Sequence, residues 1–173
     1  MHKYFLLILC LCLSGCGFHP RGPMALSPPL QNLYLQTADP YGQLTRNLRL
    51  YLKMSGVHLA KTPADAASIL DILSENTSEQ LLNISGTQTT RQYNLILTVT
   101  YQVTDSHGNL LVSAQTATET RPLTIDANQM LSGSNQAISL YQQMRQAIVY
   151  DIMSRLASRE ISAILTASKP THS

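Results

Sequence analysis

The 173-residue chain carries 12 basic and 10 acidic side chains, a formal net charge of +2, and so generates no strong field that would argue for nucleic acid as a partner. Charged residues make up 13% of the chain, against about 25% in a typical soluble protein. Serine, threonine, asparagine and glutamine account for 54 of the 173 residues, which predicts a surface rich in hydrogen-bonding groups and poor in charge.

Residues Tyr4 to Leu13 form an apolar run behind a start carrying Lys3, and lead into the small residues Ser14 and Gly15. That pattern predicts a secretory signal peptide over residues 1–15. A membrane-spanning helix needs roughly 20 apolar residues, and this run is about half that, so it does not cross a bilayer. Leu13-Ser14-Gly15-Cys16 resembles the lipobox of bacterial lipoproteins. The resemblance implies cleavage before Cys16, an S-diacylglycerol on its thiol and an N-acyl chain on the new amino terminus, with no other cofactor. One acyl chain holds a protein to a membrane only reversibly, whereas two or more make a lasting anchor. Cys10 and Cys12 leave with the signal, so disulfides, thiol catalysis and cysteine metal sites are excluded from the mature chain. Gly17 stands where an aspartate would resemble an inner-membrane retention signal, which implies the outer membrane, facing the periplasm.

The prolines and glycines of residues 16–29 predict a tether, and residues 30–168 a single domain with one core. Leu30 to Thr37 reads as a strand. Asp39 as N-cap and Pro40 at the first helical position predict a helix that stops at Ser55-Gly56, with Tyr41, Leu44, Leu48, Tyr51 and Leu52 on one stripe. Thr62 to Asp65 reads as a short helical turn, and Ile69 begins a strand that extends toward Ser85. From Tyr93 to Val103 apolar residues alternate with polar ones, the mark of a strand with one buried face. Asp105 to Gly108 is a turn, and Leu110 to Thr120 the returning hairpin strand, ended by Pro122. Thr124 to Asn135 reads as a loop, with Ser134 or Asn135 capping a long helix to about Ala167. In that helix Ile138, Tyr141, Met144, Ile148, Ile152 and Leu156 form the core stripe, while Ile161, Ile164 and Leu165 lie off register, suggesting a bend or wrapped end; residues 169–173 are a tail. The predicted class is α/β (α+β), order βαβββα: a two-layer sandwich with a four-stranded mixed sheet and two helices on one face.

No G-x-S-x-G, H-E-x-x-H or glycine-rich phosphate loop is present. The histidines are scattered and predict no metal site. On a strand Asp71 and Glu75 stand about 13 Å apart, too far for paired acid–base work. Arg46, Arg49 and Lys53 share a face of the first helix and read as a solvated face or an anion-facing stripe.

Cys-Gly-Phe-His-Pro-Arg-Gly at Cys16 to Gly22, Asp39-Pro-Tyr-Gly, Gln92-Tyr-Asn-Leu-Ile-Leu-Thr-Val and Asn128-Gln-Met resemble the lipopolysaccharide-assembly lipoprotein family LptE across nearly the whole mature chain. The resemblance implies a non-enzymatic outer-membrane lipoprotein that plugs and helps assemble a large β-barrel translocon of the LptD type and contacts lipopolysaccharide. Such a barrel has a polar interior. Buried charges cost several kcal/mol each unless paired, whereas amides and hydroxyls find many partners, so the uncharged polar composition suits that setting. In the family, lipopolysaccharide contact is attributed to basic residues near the second hairpin loop and before the last helix. Arg91 fits the first place; the second has no basic residue within Thr124 to Asn135, and Arg121 is the nearest substitute. Arg46, Arg49 and Lys53 complete the predicted phosphate-contacting set. The alternative from another class is a periplasm-facing lipoprotein carrier with an apolar pocket for a small amphiphile.

Overall fold

The computed structural model describes residues 24–84, 90–126 and 130–167. The expected signal peptide at 1–15, Cys16 and the expected tail at 169–173 lie outside the described residues. Residues 24–29, assigned from sequence to the tether, include Leu26 and Ser27, which are buried, so the packing reaches back beyond Leu30.

A 3-10 turn at Pro28–Leu30 leads into β1 (Asn32–Thr37), which turns Leu33 and Leu35 into the core. Next comes α1 (Gln43–Met54), burying Leu44, Leu48 and Leu52 at the spacing of one helical face. The helix starts later than the Asp39-Pro40 signal predicts. Asp39 Oδ1 accepts the Tyr41 backbone N–H at 3.2 Å and its carbonyl accepts the Gly42 N–H, closing a separate turn. Tyr41, expected in the stripe, stands 83% exposed ahead of the helix. Gly56 ends α1 with φ of 77°, a conformation that glycine adopts without strain.

The sheet has five strands, not four: β2 (His58–Leu59), β3 (Ser68–Ile84), β4 (Thr90–Asp105) and β5 (Leu110–Asp126) join β1 in the order β2-β1-β3-β4-β5. Two-residue β2 is too short to show any alternation in the sequence. It pairs parallel to β1, as β3 does on the other side, so the parallel strand-helix-strand unit expected from the sequence is present. Both later pairs are antiparallel. In β4 the odd residues from Leu95 to Val103 are buried, matching the alternation. The Asp105 carboxylate closes the following turn by accepting the backbone N–H groups of His107 and Asn109, both at 2.8 Å, and the Asn109 side-chain amide at 2.7 Å. Those bonds, that of the Asn109 side chain first, hold its pKa below the ordinary carboxylate value.

Pro122 does not end β5, which runs on to Asp126 opposite Thr90. As β5 is an edge strand, proline's missing N–H removes no essential sheet hydrogen bond. The predicted loop and its caps give way to helix: α2 (Met130–Leu156) begins at Met130, so Ser134 and Asn135 lie within it. It buries Met144, Ile148, Ile152 and Leu156, whereas Ile138 is exposed. A third helix, α3 (Arg159–Ala167), replaces the continuation of α2, correcting the expected two helices to three α-helices among the described residues. Ser158 Oγ accepts the Ile161 N–H at 3.3 Å at the break. The bend anticipated from the change of register brings Ile161 and Leu165 into the core.

The start of α2 lies close against β5. A Cβ built on buried Gly133 would meet Ile125 Cδ1 at 2.8 Å and its Cγ2 at 2.9 Å, inside van der Waals contact. Leucine at this position should force helix and strand apart. Gly133→Leu is expected to lower unfolding free energy by about 2–3 kcal/mol in a urea titration, the upper range for overpacking; a change below about 0.5 kcal/mol would contradict this close approach.

Candidate functional site

A bulge decides which side chains the sheet offers to each side. Ile72 pairs with Tyr101 but Ser74 with Thr100, leaving Leu73 as an extra residue. Side chains alternate along a strand, so one added residue exchanges the faces of everything after it. Glu75, Thr77 and Glu79 thereby join the helix side, opposite Val99, Leu97 and Leu95, and Ser74, Asn76, Ser78 and Gln80 go to the other. Asp71 and Glu75, four apart in sequence, consequently lie on opposite faces. On the rung of Ile72 β1 also ends, with Thr37 as partner. Beyond that rung the sheet continues as β3, β4 and β5 alone.

From the bulge to the rung of Gln80 and Asn94, the side of these three strands away from the helices is mostly polar and carries no charged residue. It presents Ser74, Asn76, Ser78 and Gln80 of β3, Asn94, Thr98 and Thr100 of β4 around Ile96, and Thr116, Thr118 and Thr120 of β5. Thr98 and Thr118 approach with hydroxyls 3.5 Å apart, Thr100 and Thr116 at 3.4 Å. These hydroxyls and amides offer both donors and acceptors outward. Asp71, one rung beyond the bulge, is the first charge met on this side, and Gln102 donates to it at 3.5 Å.

Charges gather instead on the helix side. Arg145 of α2 donates to Glu75 at 2.6 Å, and the Tyr141 hydroxyl donates to the Ser78 carbonyl at 3.3 Å, so α2 reaches over the strand that the bulge has turned. Burial, together with the charge of Glu79, raises the Tyr141 pKa, opposed by Arg145. Deeper in, burial pushes the Tyr101 phenol up to about 12, and it donates to Gln115 Oε1 at 3.0 Å.

A cleft of about 380 Å³ opens where β1 ends, lined by residues including Thr37, Asp39, Gln43, Ser74, Glu75 and Arg145. Its volume lies in the range of small-ligand sites, but such sites are walled mainly by apolar side chains. Polar groups and an ion pair are a poor bed for an acyl chain, so the cleft does not favour the amphiphile carrier. Among the described residues no cluster of His, Cys, Asp or Glu is arranged to hold a metal ion.

The predicted phosphate-contacting residues fall into two separate groups. Arg46, Arg49 and Lys53 lie on α1. Arg46 donates to Gln43 Oε1 at 2.6 Å and Arg49 to the Pro40 carbonyl at 3.2 Å, and neither is in an ion pair found among the described residues. Arg91 and Arg121 are exposed on the helix side of β4 and β5; Arg91 pairs with Ile125 and Arg121 with Leu95. Four residues of strand therefore separate them, about 13 Å. Arg121 is held by Glu119 at 2.8 Å. Arg91 stands ten residues along β4 from Tyr101, about 33 Å beyond the rung where β1 ends, so no single phosphate bridges the two groups.

A family model described as lipopolysaccharide-assembly, LptE, matches residues 30–156. The chain belongs to the LptE family. Among LptE relatives, the LPS-assembly lipoprotein LptE of Pectobacterium atrosepticum is 37% identical over 107 residues, 59% of this chain and 58% of that protein. The LPS-assembly lipoprotein LptE of Yersinia enterocolitica is 35% identical over 106 residues, 59% of this chain and 51% of that one. The chain thus spans little more than half the length of these curated relatives. A minor lipoprotein of Acinetobacter baumannii shares the fold with a TM-score of 0.65 and 26% identity, covering 76% of this chain and 93% of that one. Lipoprotein B of Nitrosomonas europaea superposes with a TM-score of 0.69 at 21% identity, over 90% of this chain and 99% of the other, and speaks to the fold alone.

The open face was foreshadowed by composition, yet its extent depends on the bulge at Leu73, which has no turn residue to announce it. The Arg145–Glu75 contact was likewise invisible, since it joins residues 70 positions apart.

Proposed function

We propose that this chain is a non-enzymatic outer-membrane lipoprotein, acylated at Cys16, that occupies the lumen of a large LptD-type β-barrel, assists its assembly and takes part in delivering lipopolysaccharide to the cell surface. The observation that carries the reading is the uncharged, hydrogen-bonding side of β3, β4 and β5. Against the polar wall of a barrel interior, hydroxyls and amides exchange water for protein partners at little expense, whereas unpaired charges would not. The three strands run past the end of β1 as a narrow extension, a shape suited to entering a pore end-on. In this reading Arg91, on that extension, and Arg121 contact lipopolysaccharide phosphate, Arg91 through the fork of donors that a guanidinium offers.

Depleting the protein from cells should leave the barrel misassembled, seen as loss of its mature, folded form on unheated gels. Correctly assembled barrel persisting at its normal level after depletion would remove the assembly role.

A further inference from the structure

The outer face of α1 is distinct from both surfaces so far described. The helix contains Arg46, Arg49 and Lys53 and no acidic residue. Between and beside these cations Leu50 and Met54 stand out from the protein, 55% and 62% exposed. Arg46, Leu50 and Met54 follow one another at intervals of four, making one ridge about 12 Å long with Arg49 and Lys53 along its flank. None of the ion pairs found among the described residues involves α1. Exposed apolar side chains framed by cations are the signature of a helix lying on an anionic membrane surface, the cations at the headgroups and the apolar tips just beneath.

The fold puts this face near the anchored end of the chain. The His58 N–H, four residues past the end of α1, bonds the Gln31 carbonyl at 2.8 Å, and Val57 N–H bonds the Leu52 carbonyl at 3.0 Å. The carboxyl end of α1 therefore lies beside the start of β1, where the chain arrives from its amino terminus. Met24 is only eight positions from Cys16, a reach of about 28 Å at full extension. Arg91 and the far ends of β4 and β5 lie at the opposite end of the long strands. Lys61, Asp65 and, on the rung of Ser68, Asp105 also lie at this end, off α1.

We propose that, before the body enters a barrel, the exposed face of α1 docks on the anionic phospholipid surface of the leaflet that holds the acylated amino terminus, laying the long strands along that surface. The proposal deepens the function given above and rests on acylation at Cys16 for its setting. Each cation near an anionic bilayer adds attraction that salt screens, and Leu50 and Met54 add partial apolar burial.

The test uses the mature chain, residues 16–173, with Cys16→Ser, so that no acyl chain contributes and a fault in the acylation reading leaves the result intact. Flotation is measured with phosphatidylcholine vesicles, with vesicles containing about 30 mol% phosphatidylglycerol, and with lipopolysaccharide aggregates. Binding to the phosphatidylglycerol vesicles alone is expected. Combining Arg46→Gln, Arg49→Gln and Lys53→Gln should weaken it about a hundredfold, as should roughly 0.5 M salt. A second variant, Leu50→Ser with Met54→Ser, alters only exposed positions and should weaken it about tenfold. Equal flotation with both vesicle types, wild-type binding by both variants, or binding to lipopolysaccharide but not to phosphatidylglycerol would overturn the proposal.

Discussion

Leu97→Asp should leave the chain unable to hold its native structure at 37 °C. Leu97 is fully buried in the middle of β4, between Thr77 of β3 and Glu119 of β5 on the helix side of the sheet. A carboxylate there loses its water and gains a like charge as its cross-strand neighbour, since Glu119 is engaged by Arg121 at 2.8 Å. Desolvation of an unpaired charge costs several kcal/mol, on top of about 2–5 kcal/mol for the lost leucine. A domain of this size has roughly 5–15 kcal/mol in total. Thr98→Asp, one residue on, is the matched control. Thr98 belongs to the open side, where its hydroxyl meets that of Thr118, and a charge there stays hydrated in the isolated protein, so a loss under about 1 kcal/mol is expected. Circular dichroism melts of the two variants measure the contrast. Similar losses in both would contradict a sheet with one buried and one open face. The control has a second use: if the open side lies against a barrel, Thr98→Asp should impair that association while leaving the isolated fold intact.

Cys16→Ser should move the protein from the membrane fraction to the soluble periplasmic fraction almost completely. In the proposed reading the thiol is the acceptor for the diacylglycerol, and among the described residues no helix is long and apolar enough to cross a membrane. Each buried acyl CH₂ contributes about 0.8 kcal/mol, so several chains hold a body of this size effectively permanently and their loss leaves only weak surface attraction. Fractionation followed by immunoblotting reads the outcome. A Cys16→Ser protein that remained in the membrane pellet after a high-salt wash would contradict anchoring through this residue.

What the sequence made legible follows from where one force dominates. The alternation of Tyr93 to Val103 was readable because only one side of β4 is buried, and the Leu44–Leu48–Leu52 stripe because α1 packs by one face. Three elements escaped because tertiary context outweighed local signals. β2 is created by its pairing with β1 at Asn32 and Leu33, not by its own two residues. Pro122 reads as a strand breaker, but an edge position removes the need for its N–H. The run from Met130 to Asn135, rich in Ser, Gly and Asn, has the composition of a loop; it is helical, with Gly133 packed closely against the Ile125 side chain. Of the candidate surfaces, the sparse charge of the open side was visible in composition. Its boundary was not, because a single extra residue at Leu73 determines which members of β3 reach it. The basic stripe of α1 was visible as well, though its exposed Leu50 and Met54 gained meaning only once the core was known.

Affinity purification of the acylated protein from detergent-solubilised outer membranes tests the central claim most directly. The account predicts recovery of a large β-barrel protein in roughly one-to-one ratio, retained through a high-salt wash because uncharged hydrogen-bonding contacts are little screened. Recovery of the lipoprotein alone, with the barrel left in the unbound fraction, would contradict it.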